Sequence, residues 1–90
     1  MSDRFQISPH ALVKQMGNSV VLVHLGTEKI FELNPTAARI WDLLAEGLTR
    51  EDIHSRICEE FDVPGEIASQ EIEELLSSLI SENIISVSNE

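Results

Sequence analysis

The Asn34-Pro35 step divides this sequence into two stretches that call for different secondary structure. Asparagine is a favoured helix N-cap, and proline suits the first helical position, where the backbone N–H lacks an intrahelical acceptor in any case. A helix therefore starts here, and what precedes it must be complete by about residue 33. That upstream part reads as strands. Residues 10–16 form a first strand, and Gly17-Asn18 follows as a turn. Residues 19–25 are rich in β-branched side chains and read as a strand largely covered on both faces. Gly26-Thr27 makes a second turn before residues 28–33. There Lys29, Phe31 and Leu33 project to one side and Ile30 and Glu32 to the other, because strand side chains alternate. Strands joined by so few residues pair as hairpins.

Downstream of the step the spacing is helical. Ala37, Ile40, Trp41 and Leu44 recur every 3–4 residues as one apolar stripe, with Trp41 in the core, and Gly47 suits the C-terminal position. Thr49 with Asp52 makes a box-like start for a second helix, whose inner face is Ile53, Ile57, Cys58 and Phe61. Val63-Pro64-Gly65 breaks the chain. A third helix runs from about Glu66 to Glu82 with Ala68, Ile72, Leu75, Leu76, Leu79 and Ile80 as its stripe. Asn83 stops it, and residues 84–87 read as a short strand or a docked tail. The expected fold class is α+β, winged helix-turn-helix-like: a three-stranded antiparallel β-sheet followed by three α-helices. Ninety residues make one domain, 1–90.

Charge is divided as sharply as structure. Residues 1–33 carry Asp3, Glu28 and Glu32 against Arg4, Lys14 and Lys29 and are neutral. The remaining 13 of the 16 acids face only Arg39, Arg50 and Arg56, so residues 34–90 hold the whole net charge of −10. Such a field repels phosphate backbones and attracts cations or basic peptides. The third helix has Glu71, Glu73, Glu74 and Glu82 between Ser69 and Asn83 and no basic residue, so it lacks what a DNA recognition helix needs. No nucleic acid is expected as a partner. No membrane is expected either, since the longest apolar run, Val20 to Val23, is far below the ~20 residues of a spanning helix. The first residues show no signal-peptide pattern, and the expected location is cytoplasmic.

Catalytic chemistry finds few candidates. His10, His24 and His54 fall on different elements, and the single cysteine, Cys58, excludes an internal disulfide or a CxxC site. His54 and Cys58, four apart, share a helix face, but two ligands do not close a metal site, and Cys58 belongs to the apolar stripe. The four glycines are isolated at turns, so no phosphate-cradling loop exists. Glu71, Glu73 and Glu74 sit on a helix without an evident cleft to shift their pKa values. The expectation is a non-enzyme without cofactor or metal.

The segments Leu22-Val-His-Leu25, Lys29-Ile-Phe-Glu-Leu-Asn34 and Ala37-Ala-Arg-Ile-Trp-Asp-Leu-Leu44 together resemble the family of PqqD, the pyrroloquinoline-quinone biosynthesis protein. The resemblance continues through Thr49-x-x-Asp-Ile53, Phe61-Asp-Val63 and Leu75-Leu-x-x-Leu79 to Ile84-Ile85, about residues 8–87 in all. It implies a peptide recognition element that binds the leader of a ribosomally made precursor and presents it to a modifying enzyme. The leader adds as a strand to the third β-strand beside the third helix, a form of β-augmentation. On that basis the groove residues are Lys29, Ile30, Phe31 and Glu32 from the strand. From the helix they are Ile67, Gln70, Glu71, Glu74, Leu75 and Ser78. Glu71 and Glu74 are placed to pair with Lys or Arg of a leader.

A free-standing member of this length resembles the recognition proteins of lasso-peptide pathways, whose partners are a leader peptidase and a macrolactam cyclase. The alternative within the family is presentation of a precursor to a radical SAM enzyme. Two readings from other classes are a winged-helix transcriptional regulator, resting on topology alone, and a small hydrolase or metalloprotein built on His54, Cys58 and the carboxylates.

Overall fold

Asn34 Oδ1 accepts the Ala37 N–H at 2.8 Å, and Pro35 opens the helix behind it, so the strand-to-helix step forms where the sequence sets it. A computed structural model describes residues 3–89, with side chains for residues 4–87. Residues 1, 2 and 90 of the expected domain lie outside the described residues. The elements are β1 (Asp3–Ile7), β2 (Ala11–Met16), β3 (Ser19–His24), β4 (Lys29–Leu33), α1 (Pro35–Ala45), α2 (Arg50–Phe61), α3 (Gly65–Ser81) and β5 (Ile85–Asn89). β2, β3 and β4 form an antiparallel sheet in that order, and β1 pairs antiparallel with β5 in a separate two-stranded sheet. The molecule is thus α+β, with a three-stranded sheet and three helices. The strand read as third in the sequence is β4.

The helices are delimited by the expected signals. Thr49 caps α2 by accepting the Asp52 N–H, and Gly47 closes the preceding turn with φ +88°. Each helix buries one stripe: Ile40, Trp41, Leu43 and Leu44; Ile53 and Ile57; Ala68, Ile72, Leu76 and Leu79. These meet Leu22 and Leu33 of the sheet and Ile84 and Ile85 of the tail in one core. Full burial of each large aliphatic side chain stabilises by about 1.5–3 kcal/mol, so truncating Ile57 or Leu22 to Ala would cost about 2–5 kcal/mol.

Three details depart from the sequence reading, and one alternative it left open is resolved. β1 was not expected: Phe5 and Ile7 are half-buried between exposed Arg4 and Gln6, a strand-like alternation, but the partner β5 is at the other end of the chain and no turn announces it. The tail after Asn83 resolves as that strand. β3 is covered on one face only, with Leu22 and His24 buried and Val21 and Val23 half-buried on the other. Ile80 lies at the edge of the α3 stripe and is 38% exposed.

Candidate functional site

β4 pairs with β3 on one side, and no described strand pairs with its other side. The direction of its backbone groups follows from the neighbouring ladder. The Leu25 N–H donates to His10 O at 2.9 Å, which, with Ala11 opposite His24, makes His10 and Leu25 a hydrogen-bonded position of the ladder, although the His10 N–H itself turns to Ser8 Oγ at 3.2 Å. In an antiparallel ladder such positions alternate, and both groups of one residue point the same way. Ser19, Val21 and Val23 therefore face β2, and Val20, Leu22 and His24 face β4. Their partners Leu33, Phe31 and Lys29 use their N–H and C=O on β3. Ile30 and Glu32 direct theirs outward. The free edge of β4 thus offers the backbone of these two residues, whose side chains lie on the outer face of the sheet. Phe31 and Leu33 turn inward, half-buried and buried respectively, with Lys29 on the same side.

α3 meets the start of β4 at its C-terminal end. Lys29 Nζ donates to Glu82 Oε1 at 2.8 Å, tying the start of β4 to the end of α3. Beyond the other end of β4, a groove of about 300 Å³ opens between the first turns of α1 and the middle of α3. Ile40 and Leu75 supply its apolar lining; Asn34, Thr36, Glu71, Glu74 and Ser78 supply its polar lining. Glu74 accepts from Gln70 Nε2 at 3.3 Å. Neither Glu71 nor Glu74 has an ion-pair partner among the described residues. A volume of this size admits one or two side chains, and a carboxylate rim above an apolar floor favours a long aliphatic stem ending in a cation.

Of the residues singled out in the sequence, Glu71, Glu74, Leu75 and Ser78 come together in this groove, and Lys29, Ile30, Phe31 and Glu32 form the adjacent strand. Gln70 touches the rim through Glu74. Ile67, 48% exposed, stands a turn further toward the N-terminus of α3 and does not line the groove. The sequence reading missed the α1 wall: Asn34, Thr36, Ala37 and Ile40. The signal was available, since an N-cap directly after an edge strand places a helix start at the strand's end.

A larger cleft of about 370 Å³ lies on the opposite flank of α3, between Arg50, Glu51, His54 and Ser55 of α2 and Ser69, Ile72 and Glu73. Arg50 pairs with Glu73 across it and sits 5.6 Å from the Phe5 ring centroid. Arg50 and Glu73 already satisfy each other there, so size alone does not make it the better site. His54 and Cys58 do share one face, 3.9 Å apart, but His54 Nε2 also meets Gly65 O at 3.0 Å, joining α2 to the start of α3. Among the described residues no three potential ligands gather round one point.

A small α+β domain with an open strand edge beside a helix-walled groove is the class that this geometry defines. The chain belongs to the family described as Coenzyme PQQ synthesis protein D (PqqD), whose model matches residues 19–85. Among solved structures it is similar to TbiB1 in complex with the TbiA(beta) leader peptide: 29% identity, TM-score 0.82, covering 94% of this chain and 99% of that one. It is likewise similar to lasso peptide synthetase B1 complexed with the leader peptide: 28% identity, TM-score 0.77, covering 94% and 98%. No curated protein gives a match.

Proposed function

We propose that this chain, as a single domain, binds the leader region of a ribosomally synthesised precursor and presents it to modifying enzymes. The observation that carries this is the open edge of β4 beside the α3 groove: Ile30 and Glu32 have outward backbone groups that a peptide strand satisfies. Backbone bonding supplies affinity and the pockets for alternating side chains supply specificity. Lys29, Ile30, Phe31 and Glu32 form the strand side of the site, and Gln70, Glu71, Glu74, Leu75 and Ser78, with Ile67 at its far end, form the helix side. Two similar structures, each in complex with a leader peptide, support the same reading.

The enzymes served are, in this reading, a leader peptidase and a macrolactam cyclase of a lasso-peptide pathway, because one of the similar structures is a lasso peptide synthetase B1 bound to the leader peptide. Membership of the PqqD family supports the second reading, presentation to a radical SAM enzyme. In either role the chain is a non-catalytic cytoplasmic partner. Its helical arrangement reads as winged helix-turn-helix-like. α3 nevertheless carries Glu66, Glu71, Glu73 and Glu74 and no basic residue, which speaks against duplex DNA as ligand. Among the described residues no helix is long and apolar enough to cross a membrane.

The test is fluorescence anisotropy with a labelled synthetic leader of the precursor encoded beside this chain's gene. Saturable binding that is lost when the leader is scrambled supports the proposal. A folded chain that ignores the leader at tens of micromolar overturns it.

A further inference from the structure

We infer that His24 is a positioning residue for peptide capture: its imidazole Nδ1, accepting two turn amides at once, pins the register of β4 and thereby decides which backbone groups the open edge offers. This rests on the reading that a peptide adds along β4.

Register matters here because the edge alternates. With Lys29 opposite His24, Ile30 and Glu32 face outward. A slip of one residue would exchange the outward and inward sets and swing Phe31 and Leu33 off the core face. The segment that must resist that slip is the turn from Leu25 to Glu28. It has no proline, and its one glycine, Gly26, does not hold the positive φ; Glu28 does, at +62°. Turn sequence alone specifies it weakly. His24 supplies what is missing. The Gly26 N–H donates to its Nδ1 at 3.1 Å and the Thr27 N–H at 3.2 Å, while the Glu28 N–H donates to the His24 carbonyl at 2.7 Å. Three successive amides are thus gathered onto one residue. The fit is close: a Cβ on Gly26 would stand 3.0 Å from the His24 Cε1. His24 is also the one buried polar residue among the described residues, 7% exposed, which a turn satisfied by water would not require.

The arrangement fixes the protonation state that works. Backbone N–H groups only donate, so Nδ1 carries no proton, and the proton of the neutral ring is on Nε2. An imidazolium has two donors and no acceptor, so both turn amides would lose their partner. The titratable groups around the ring are His10, with ring centroids 6.4 Å apart, the cross-strand partner Lys29 with its own partner Glu82, and Glu28 within the turn.

The experiment compares the wild type with His24→Phe, which keeps bulk without an acceptor, and His24→Asn, whose side-chain oxygen can still accept from the amide two residues on. The probe is the labelled synthetic leader encoded beside this gene, with any histidine in it replaced by glutamine. Amide exchange of Ile30, Phe31 and Glu32 is followed by NMR without peptide. In the free wild type, Phe31 is protected while Ile30 and Glu32 exchange rapidly. His24→Phe loses the Phe31 protection and binds at least tenfold more weakly, and His24→Asn lies between. His24→Phe with wild-type exchange and affinity within twofold overturns the inference. Should His24→Phe not fold, His24→Asn decides: Phe31 protection and leader affinity below wild type support the inference, and values equal to wild type overturn it. A wild type that does not bind the leader overturns the functional reading instead, and the exchange pattern of the variants still judges the role of His24.

Discussion

The two flanks of α3 carry openings of comparable size and opposite character. On the α2 side, Arg50 spans the cleft to Glu73 and covers Phe5, so these two charges have found each other within the chain. On the β4 side, Glu71 and Glu74 lack ion-pair partners among the described residues, and the neighbouring strand leaves two residues' backbone groups outward. The larger volume belongs to the satisfied flank. What separates a site from a surface depression here is unmet bonding capacity, because an exposed carboxylate or strand edge gains from a partner and a closed ion pair does not.

This contrast can be broken most sharply at Ile30. Ile30→Pro removes an outward N–H and no ladder bond, so the fold is expected to survive, as proline is tolerated on an edge strand. Leader affinity should fall by about 1–3 kcal/mol, roughly fivefold to 150-fold in the anisotropy titration. Phe31→Pro, which removes a bond to β3, should unfold the hairpin, visible in the circular dichroism melt. Equal effects at both positions would refute the alternation.

Reversing the rim with Glu71→Lys plus Glu74→Lys should weaken a basic leader by up to about tenfold, with the effect shrinking at high salt, since each exposed pair contributes about 0–1 kcal/mol. Unchanged affinity would remove their proposed role. Arg50→Ala, on the other flank, should lower the thermal midpoint modestly and leave leader affinity within twofold of wild type. A larger loss of binding there would mean that both flanks serve the ligand.

The smallest effect is expected away from both flanks. Arg39 grips Glu60 with two hydrogen bonds at 2.7 and 2.9 Å, joining α1 to α2. The hydrogen bonds from Arg39 hold the Glu60 carboxyl below its ordinary value. A depressed carboxyl stabilises the fold above its unfolded-state pKa, and that contribution is lost as pH falls through the folded value. Glu60→Gln should therefore lower the midpoint slightly at neutral pH and make no difference in strong acid, read from melts across the acid range.

Much of the fold is legible in the sequence because its signals are local. Asn34-Pro35, Thr49, Gly47 and Val63-Pro64-Gly65 act within a few residues, and the structure places α1, α2 and α3 between them. The strand side of the candidate site and the Glu71, Glu74, Leu75 and Ser78 cluster were likewise expected, with the family resemblance supplying the helix residues. The α1 wall and β1 were not. Asn34, Thr36, Ala37 and Ile40 read as a cap and an amphipathic turn, and only the approach of α3 makes them half of a groove. β1 carries the alternation of Phe5 and Ile7, yet a strand shows in sequence mainly through the turn to its partner, and this partner is at the far end of the chain.

The pairing of β1 with β5 has a consequence for the order of folding. Asp3 lies opposite Asn89, 86 positions away, whereas β2, β3 and β4 join through short turns and the helices follow one another directly. Loop-closure entropy delays such distant contacts, so this clasp should close last and, as the least local element, open first. Neither β1 nor β5 borders the β4 edge in the sheet. Transient opening of the clasp therefore leaves the hairpin and its outward amides in place, and β1 and β5 can part while the strand edge stays formed.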